Sequence, residues 1–198
     1  MSNFCAFKFY QEKVLWVIVC AALFSLTHLA NAWLFQFFSV SPNISWIYLP
    51  AFLRLIYVLV LGPWWGFITI FLGGLPLMGM LEGSLSQVLL NVVCSALSPV
   101  LALGLFKLLK QRDLVLNRLR DLIELCLLCA LLNAVVHHLS WALQQPDQLL
   151  TVTQLPIMVV GDLLGAVVGA YLFSRLIRRL GLYKKLERLS QTKSTDPS

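Results

Sequence analysis

Six apolar runs separated by polar breaks set the plan of this 198-residue chain. They span residues 14–38, 46–62, 65–81, 87–107, 121–143 and 155–174. Several approach or exceed the ~18–20 apolar residues that a helix needs to cross hydrocarbon. The pattern predicts an all-α, polytopic transmembrane helix bundle with six membrane segments. The breaks carry turn chemistry: Ser39–Ser45, Gly62-Pro63, Glu82-Gly-Ser-Leu-Ser86 and Gln144-Gln-Pro-Asp147. Pro50 fits a first helical position, where its missing N–H is harmless. Gly73-Gly74 and Pro76 predict a kink or partial re-entrance in the third segment, and Pro99 lies inside the fourth.

Charge then orients the bundle. The basic residues gather before residue 14, between Lys107 and Arg120, and from Arg175 onward, while the alternate connectors hold only Glu82 and Asp147. By the positive-inside rule, both termini are expected in the cytoplasm, with residues 1–13 and 175–198 as cytoplasmic ends. The expected location is a bacterial inner membrane. A composition of 59% hydrophobic and 12% charged residues excludes an ordinary soluble globule. The net charge of +6 follows the membrane pattern and comes with no nucleic-acid motif, so no nucleic-acid partner is expected. Lys8, Lys13, the following apolar run and Ala30-Asn-Ala32 imitate a signal peptide, but the run continues to Phe38 and is long enough to span. The basic tail reads as an extension of the last helix lying on anionic lipid, or as a docking helix for a partner.

Five cysteines, mostly within apolar runs, make no disulfide framework. Cys126-Leu-Leu-Cys129 reads as small apolar packing residues in a membrane helix. No serine–histidine–aspartate order, Gly-rich phosphate loop or close acid pair supports enzyme chemistry, and no enzyme is expected.

Of the fifteen Lys and Arg residues only Arg54 lies in the interior of an apolar run; Lys107 merely closes one. The one comparably deep acid is Asp162. A buried cation in a bilayer costs at least ~2.5–3.5 kcal/mol, so it normally faces protein or water. With a rise of about 1.5 Å per residue, Arg54 sits roughly 6–12 Å inside the outer surface, Asp162 about 10 Å and Asn91 about 8 Å. His28, Asn31, His137 and His138 come late in outward-going helices. Cys129, Asn133 and His137 share one helical face. The polar groups Arg54, Asp162, His137, His28, Asn133 and Asn91 therefore form one expected layer in the outer half of the membrane. That layer is either the wall of a small ligand cavity or an internal Arg54–Asp162 pair with packing hydrogen bonds. Adjacent histidines on a helix point about 100° apart. Only His28 with His137 could thus hold a haem or metal across helices, and no further ligand cluster supports it. No cofactor or metal is expected. Glu124 is expected to snorkel at the cytoplasmic interface.

The stretch Trp46-Ile-Tyr-Leu-Pro50-Ala51-x-x-Arg54-Leu, with Gly62-x-Trp64-x-Gly66 and Phe71-Leu-Gly73, resembles the first family of bacterial membrane-associated sensor domains. Gly161-Asp162-Leu-Leu-Gly165 is similar to that family's Gly-Asp-x-x-Gly near its final helices. The resemblance implies Pro50, Gly161, Gly165 and Asp162 as signature positions and a sensing role at the membrane. Six segments are fewer than the family's usual number, and without an output module this chain would act through a separate membrane or cytoplasmic partner. Two other readings stay open: a substrate-binding component like the small six-helix subunits of energy-coupling-factor transporters, and an accessory subunit of a larger membrane complex.

Overall fold

The computed structural model describes residues 2–41, 44–80, 84–115, 118–144 and 154–179. Within them, helix α1 (Ser2–Leu34) leads through a 3-10 turn (Gln36–Phe38) into a two-stranded antiparallel hairpin, β1 (Ser39–Ser41) and β2 (Ile44–Ser45). Then come α2 (Pro50–Leu61), α3 (Pro63–Gly74), a 3-10 stretch (Leu75–Met80), α4 (Leu85–Lys110), α5 (Leu119–Gln144) and α6 (Gln154–Arg179). Helix α1 lies against α3, α4 against α3 and α5, and α6 against α2 and α5.

Local chemistry sets most of these boundaries. Pro50 and Pro63 occupy first-turn positions. Gly62 between them has φ +88°, the left-handed region that disfavours a side chain. Ser84 and Gln87 form a reciprocal capping box, with Ser84 Oγ accepting from the Gln87 N–H and Gln87 Oε1 accepting from the Ser84 N–H. Lys107 and Lys110 sit in the last turn of α4, where cations suit the carbonyl end of the helix dipole.

The membrane character is explicit. Four helices are long and apolar enough to cross a membrane: Gln11–Leu34 of α1, and all of α4, α5 and α6. The bundle's exterior is apolar, and its few charged groups away from the ends lie inside. Val60 is 74% exposed and Val167 67%, whereas Arg54 is 1% exposed and Asp162 4%. Lipid accommodates such a surface; water does not. The interior is filled by Phe24, Tyr57, Val58, Ile70 and Ala96 near the middle, and by Ala102, Phe106, Leu125 and Cys129 toward the α4–α5 connector. Cys129 thus packs as a small apolar residue.

Several expected boundaries shift. The first helix ends at Leu34, not 38, and the second starts at Pro50, not 46. The reason is the destination of the backbone donors. Trp46 N–H donates to Phe38 O, Tyr48 N–H to Gly161 O and Leu49 N–H to Asn31 Oδ1, so none is available to a helix. The all-helical expectation therefore misses a small hairpin at this break. The expected kink in the third segment is instead its end: α3 stops at Gly74, and Pro76 lies in a 3-10 stretch. Helices α2 and α3 have 12 residues each, about 18 Å of rise against ~30 Å of hydrocarbon. The last helix continues through Arg179, beyond the expected end at 174. Glu82, the Gln145-Pro146-Asp147 break and the tail from residue 180 lie outside the described residues.

Candidate functional site

Arg54 enters the bundle from the first turns of α2 and is held by three helices. Its Nη2 donates to Asp162 Oδ1 of α6 at 2.7 Å. Its Nη1 donates to Asn133 Oδ1 of α5 at 2.5 Å and to Ser95 Oγ of α4 at 3.3 Å. Asn133 closes the ring, donating from Nδ2 to Asp162 Oδ2 at 2.8 Å. Both carboxylate oxygens are therefore satisfied, and the carboxamide of Asn133 bridges the cation and the anion. Ser98 Oγ lies 3.2 Å from Asn133 Oδ1 and 2.6 Å from Cys94 O. Charge-assisted bonds of this kind are the strong ones, and in a low-dielectric interior they polarise one another.

Tyr48 covers this knot, with its ring centroid 5.1 Å from the Arg54 guanidinium carbon, a cation–π distance. The Tyr48 hydroxyl reaches His28 Nδ1 at 3.2 Å. Tyr48 can sit so deep because α6 offers a groove without side chains. A Cβ on Gly161 would collide with the Ser45 carbonyl oxygen, and one on Gly165 with that of Tyr48. The four-residue spacing lines these glycines along one face of α6, so the extended 45–49 segment lies directly on the helix backbone. Irregular backbone at membrane depth is tolerated when buried in protein in this way.

Beside the knot is a cavity of about 130 Å³, lined at one end of the bundle by all six helices, the hairpin and the 3-10 stretch. Arg54, Asp162, Asn133, Asn91, His28 and His137 all line it. The six sequence-predicted polar residues thus border one cavity, in unequal roles. Arg54, Asn133 and Asp162 bond to one another. His28 joins through Tyr48. Asn91 bonds instead to Trp141, whose Nε1 donates to Asn91 Oδ1 at 2.6 Å. His137 Nδ1 donates to Asn133 O at 2.9 Å, and His138 Nδ1 to Ala134 O at 2.8 Å. A carbonyl accepts only, so both rings carry their proton on Nδ1. The two rings flank Trp141, and only His137 lines the cavity. Pro50 is buried at the start of α2 and bonds to none of these groups.

Sequence reading missed Tyr48, Ser95, Ser98 and the hairpin serines Ser39, Ser41 and Ser45, which also line the cavity or support the knot. A Ser-Val-Ser-Pro-Asn run after an apolar segment is a turn signal that could have marked the hairpin. Among the described residues, no three His, Cys, Asp or Glu side chains converge as a metal site requires.

At the opposite end, Glu124 is tied into ion pairs rather than simply snorkelling. It meets Lys110 Nζ at 2.7 Å and Arg120 Nε at 3.0 Å. Compared with known proteins, the chain matches no family model, no curated protein and no solved structure, so its functional reading rests on its own geometry.

Proposed function

We propose that this chain is a sensor-like bacterial inner-membrane protein that binds a small ligand in the cavity beside Arg54 and Asp162 and acts through a separate partner. In this reading the chain has six membrane segments, the short α2 and α3 partly re-entrant, with both termini in the cytoplasm and the hairpin end facing outward. The observation that carries it is a cavity whose walls come from every helix. A ligand there would bridge several helices, and it would shift their arrangement only by binding one arrangement better than another. The membrane-sensor resemblance supports the same reading, because its positions Arg54, Asp162 and Gly161 take part in the knot and its groove.

Ala22 and Ala30 face outward on α1. Leu26, 62% exposed, lies between them, so the small-residue face is thin; chain size and segment number carry the second reading, a substrate-binding transport component that docks on a coupling subunit. The test is purification in mild detergent, with mass spectrometry of every small molecule and protein retained. A retained small molecule and a signalling partner support sensing; a retained ATPase complex supports transport. An empty chain bound only in fixed stoichiometry to large membrane subunits overturns both and leaves an accessory role.

A further inference from the structure

We propose that the cavity takes an uncharged, benzene-sized molecule bearing carbonyl or ring-nitrogen acceptors, the chemical class of small aromatic and heteroaromatic amides. This rests on the ligand-binding reading and narrows it.

Size sets the first bound. The cavity measures about 130 Å³. An apolar cavity of about 150 Å³ is known to hold benzene, so the buried part of a ligand is at most a single small ring, and a short substituent would reach toward the cavity's open side.

Charge sets the second. Among the described residues, Arg54 and Asp162 are the only Lys, Arg, Asp or Glu on the walls, and each already neutralises the other at 2.7 Å. Both Asp162 oxygens are occupied, and the Arg54 Nη groups hold Asp162, Asn133 and Ser95. A ligand anion or cation would enter a low-dielectric site without a counter-charge, or would have to break the pair.

Donor geometry sets the third. Asn31 Oδ1 accepts the Leu49 N–H at 2.8 Å, and Asn91 Oδ1 accepts Trp141 Nε1 at 2.6 Å. Because both partners are obligate donors, each carboxamide is fixed with its oxygen on that donor. Each NH2 end is left without a protein partner among the described residues, on a side chain that lines the cavity. Two locked amide donors call for acceptors on the ligand. The remaining wall, Phe24, Ile44, Ile70, Leu77, Val92 and Met158, suits an apolar ring.

The test titrates nicotinamide and benzamide, and separately nicotinate and benzoate, into the full chain in nanodiscs by isothermal calorimetry. The amides are expected to bind about tenfold or more tightly than the carboxylates. Asn91→Asp keeps an oxygen for Trp141 and removes the NH2, and is expected to weaken the amides about tenfold. Circular dichroism and a monodisperse elution profile check that this variant folds; the wild-type comparison stands without it. Equal or tighter binding of the carboxylates overturns the class, as does failure of both amides. If the amides fail while some other small molecule stays on the purified protein, the class falls and the ligand-binding reading survives. If nothing is retained and nothing binds, both fall.

Discussion

The two ends of this molecule solve the same electrostatic problem under different solvents. At the hairpin end, Arg54 and Asp162 are 1% and 5% exposed as side chains, and a third residue, Asn133, completes their hydrogen bonding. At the α4–α5 connector, Arg112 grips Asp121 through two bonds of 2.6 and 2.8 Å while Arg112 itself stays 37% exposed. Around it, Lys107, Asp113, Lys110, Glu124 and Arg120 form further pairs near the surface. The Arg54–Asp162 pair cannot fall back on water if one partner is lost, whereas at the connector the cations stay within reach of water even though Asp121 itself is only 2% exposed. Burial of both partners, rather than bond length, separates the two ends.

The largest expected effect follows from that difference. Arg54→Ala or Asp162→Ala leaves one uncompensated buried charge, at a cost of about 3–5 kcal/mol. Folded yield in detergent should collapse for either variant. Arg54→Met combined with Asp162→Leu removes both charges and should recover a substantial part of that yield. Recovery stays partial because Asn133 loses partners at both ends of its carboxamide. A double variant worse than either single one would show that the charges do not act as a pair. At the connector, single changes at the exposed Lys107, Asp113 or Arg120 should never approach this loss.

Next in size is the groove on α6. Gly165→Ala drives a Cβ into the Tyr48 carbonyl, with backbone on both sides and no flexible side chain to yield. Overpacking of this kind costs about 1–3 kcal/mol. Gly104→Ala, in α4 with open space around its Cβ position, is the control. It should be neutral or slightly stabilising, since Ala is the better helix former. Thermal midpoints of the two variants measured side by side decide the point. Equal behaviour would mean that the 45–49 segment does not need its close seat on α6, and the knot would lose its cover.

This groove also shows what the sequence could and could not reveal. Arg54 and Asp162 stood out because a lone charge in an apolar run has few affordable environments. Asn133 and His137 could be placed on one inward face from helical spacing alone. That Asn133 joins the two charges could not be read, because side-chain pairing between helices depends on their rotation and register. Gly161 and Gly165 were visible only as a motif; their physical role needs the extended segment that lies on them. That segment was hidden because Trp46–Leu49 is as apolar as a helix. Its backbone donors go to Phe38, Gly161 and Asn31, partners far away in sequence. The long helices α4, α5 and α6 were legible because a strongly apolar run of that length has one stable form in lipid.

A smaller effect is expected from Arg112. Asp121 also accepts the Val115 N–H at 3.3 Å, so its carboxylate organises the connector as well as pairing with the arginine. Arg112→Lys keeps the charge but not the planar fork that makes two bonds. The thermal midpoints should fall in the order wild type, Arg112→Lys, Arg112→Ala, with both variants well above the Arg54 variants. Equal midpoints for Lys and Ala would assign the whole effect to the fork; a neutral Ala would make the connector pair ornamental to stability.

The smallest effect belongs to Lys107 and Asp113, 52% and 86% exposed. The hydrogen bond from Lys107 holds the Asp113 carboxyl below its usual pKa. A carboxylate depressed in the folded state stabilises above its unfolded pKa of about 3.9 and loses that contribution as pH falls through the lower, folded value. Any contribution is therefore complete at neutral pH and fades only in strong acid. Exposure and salt screening keep such a pair near zero. Lys107→Ala should leave the midpoint at neutral pH within scatter, in low or high salt. A clear loss at neutral pH that salt abolishes would mean that the connector charges act as one network. The contrast between the two ends would then be one of degree.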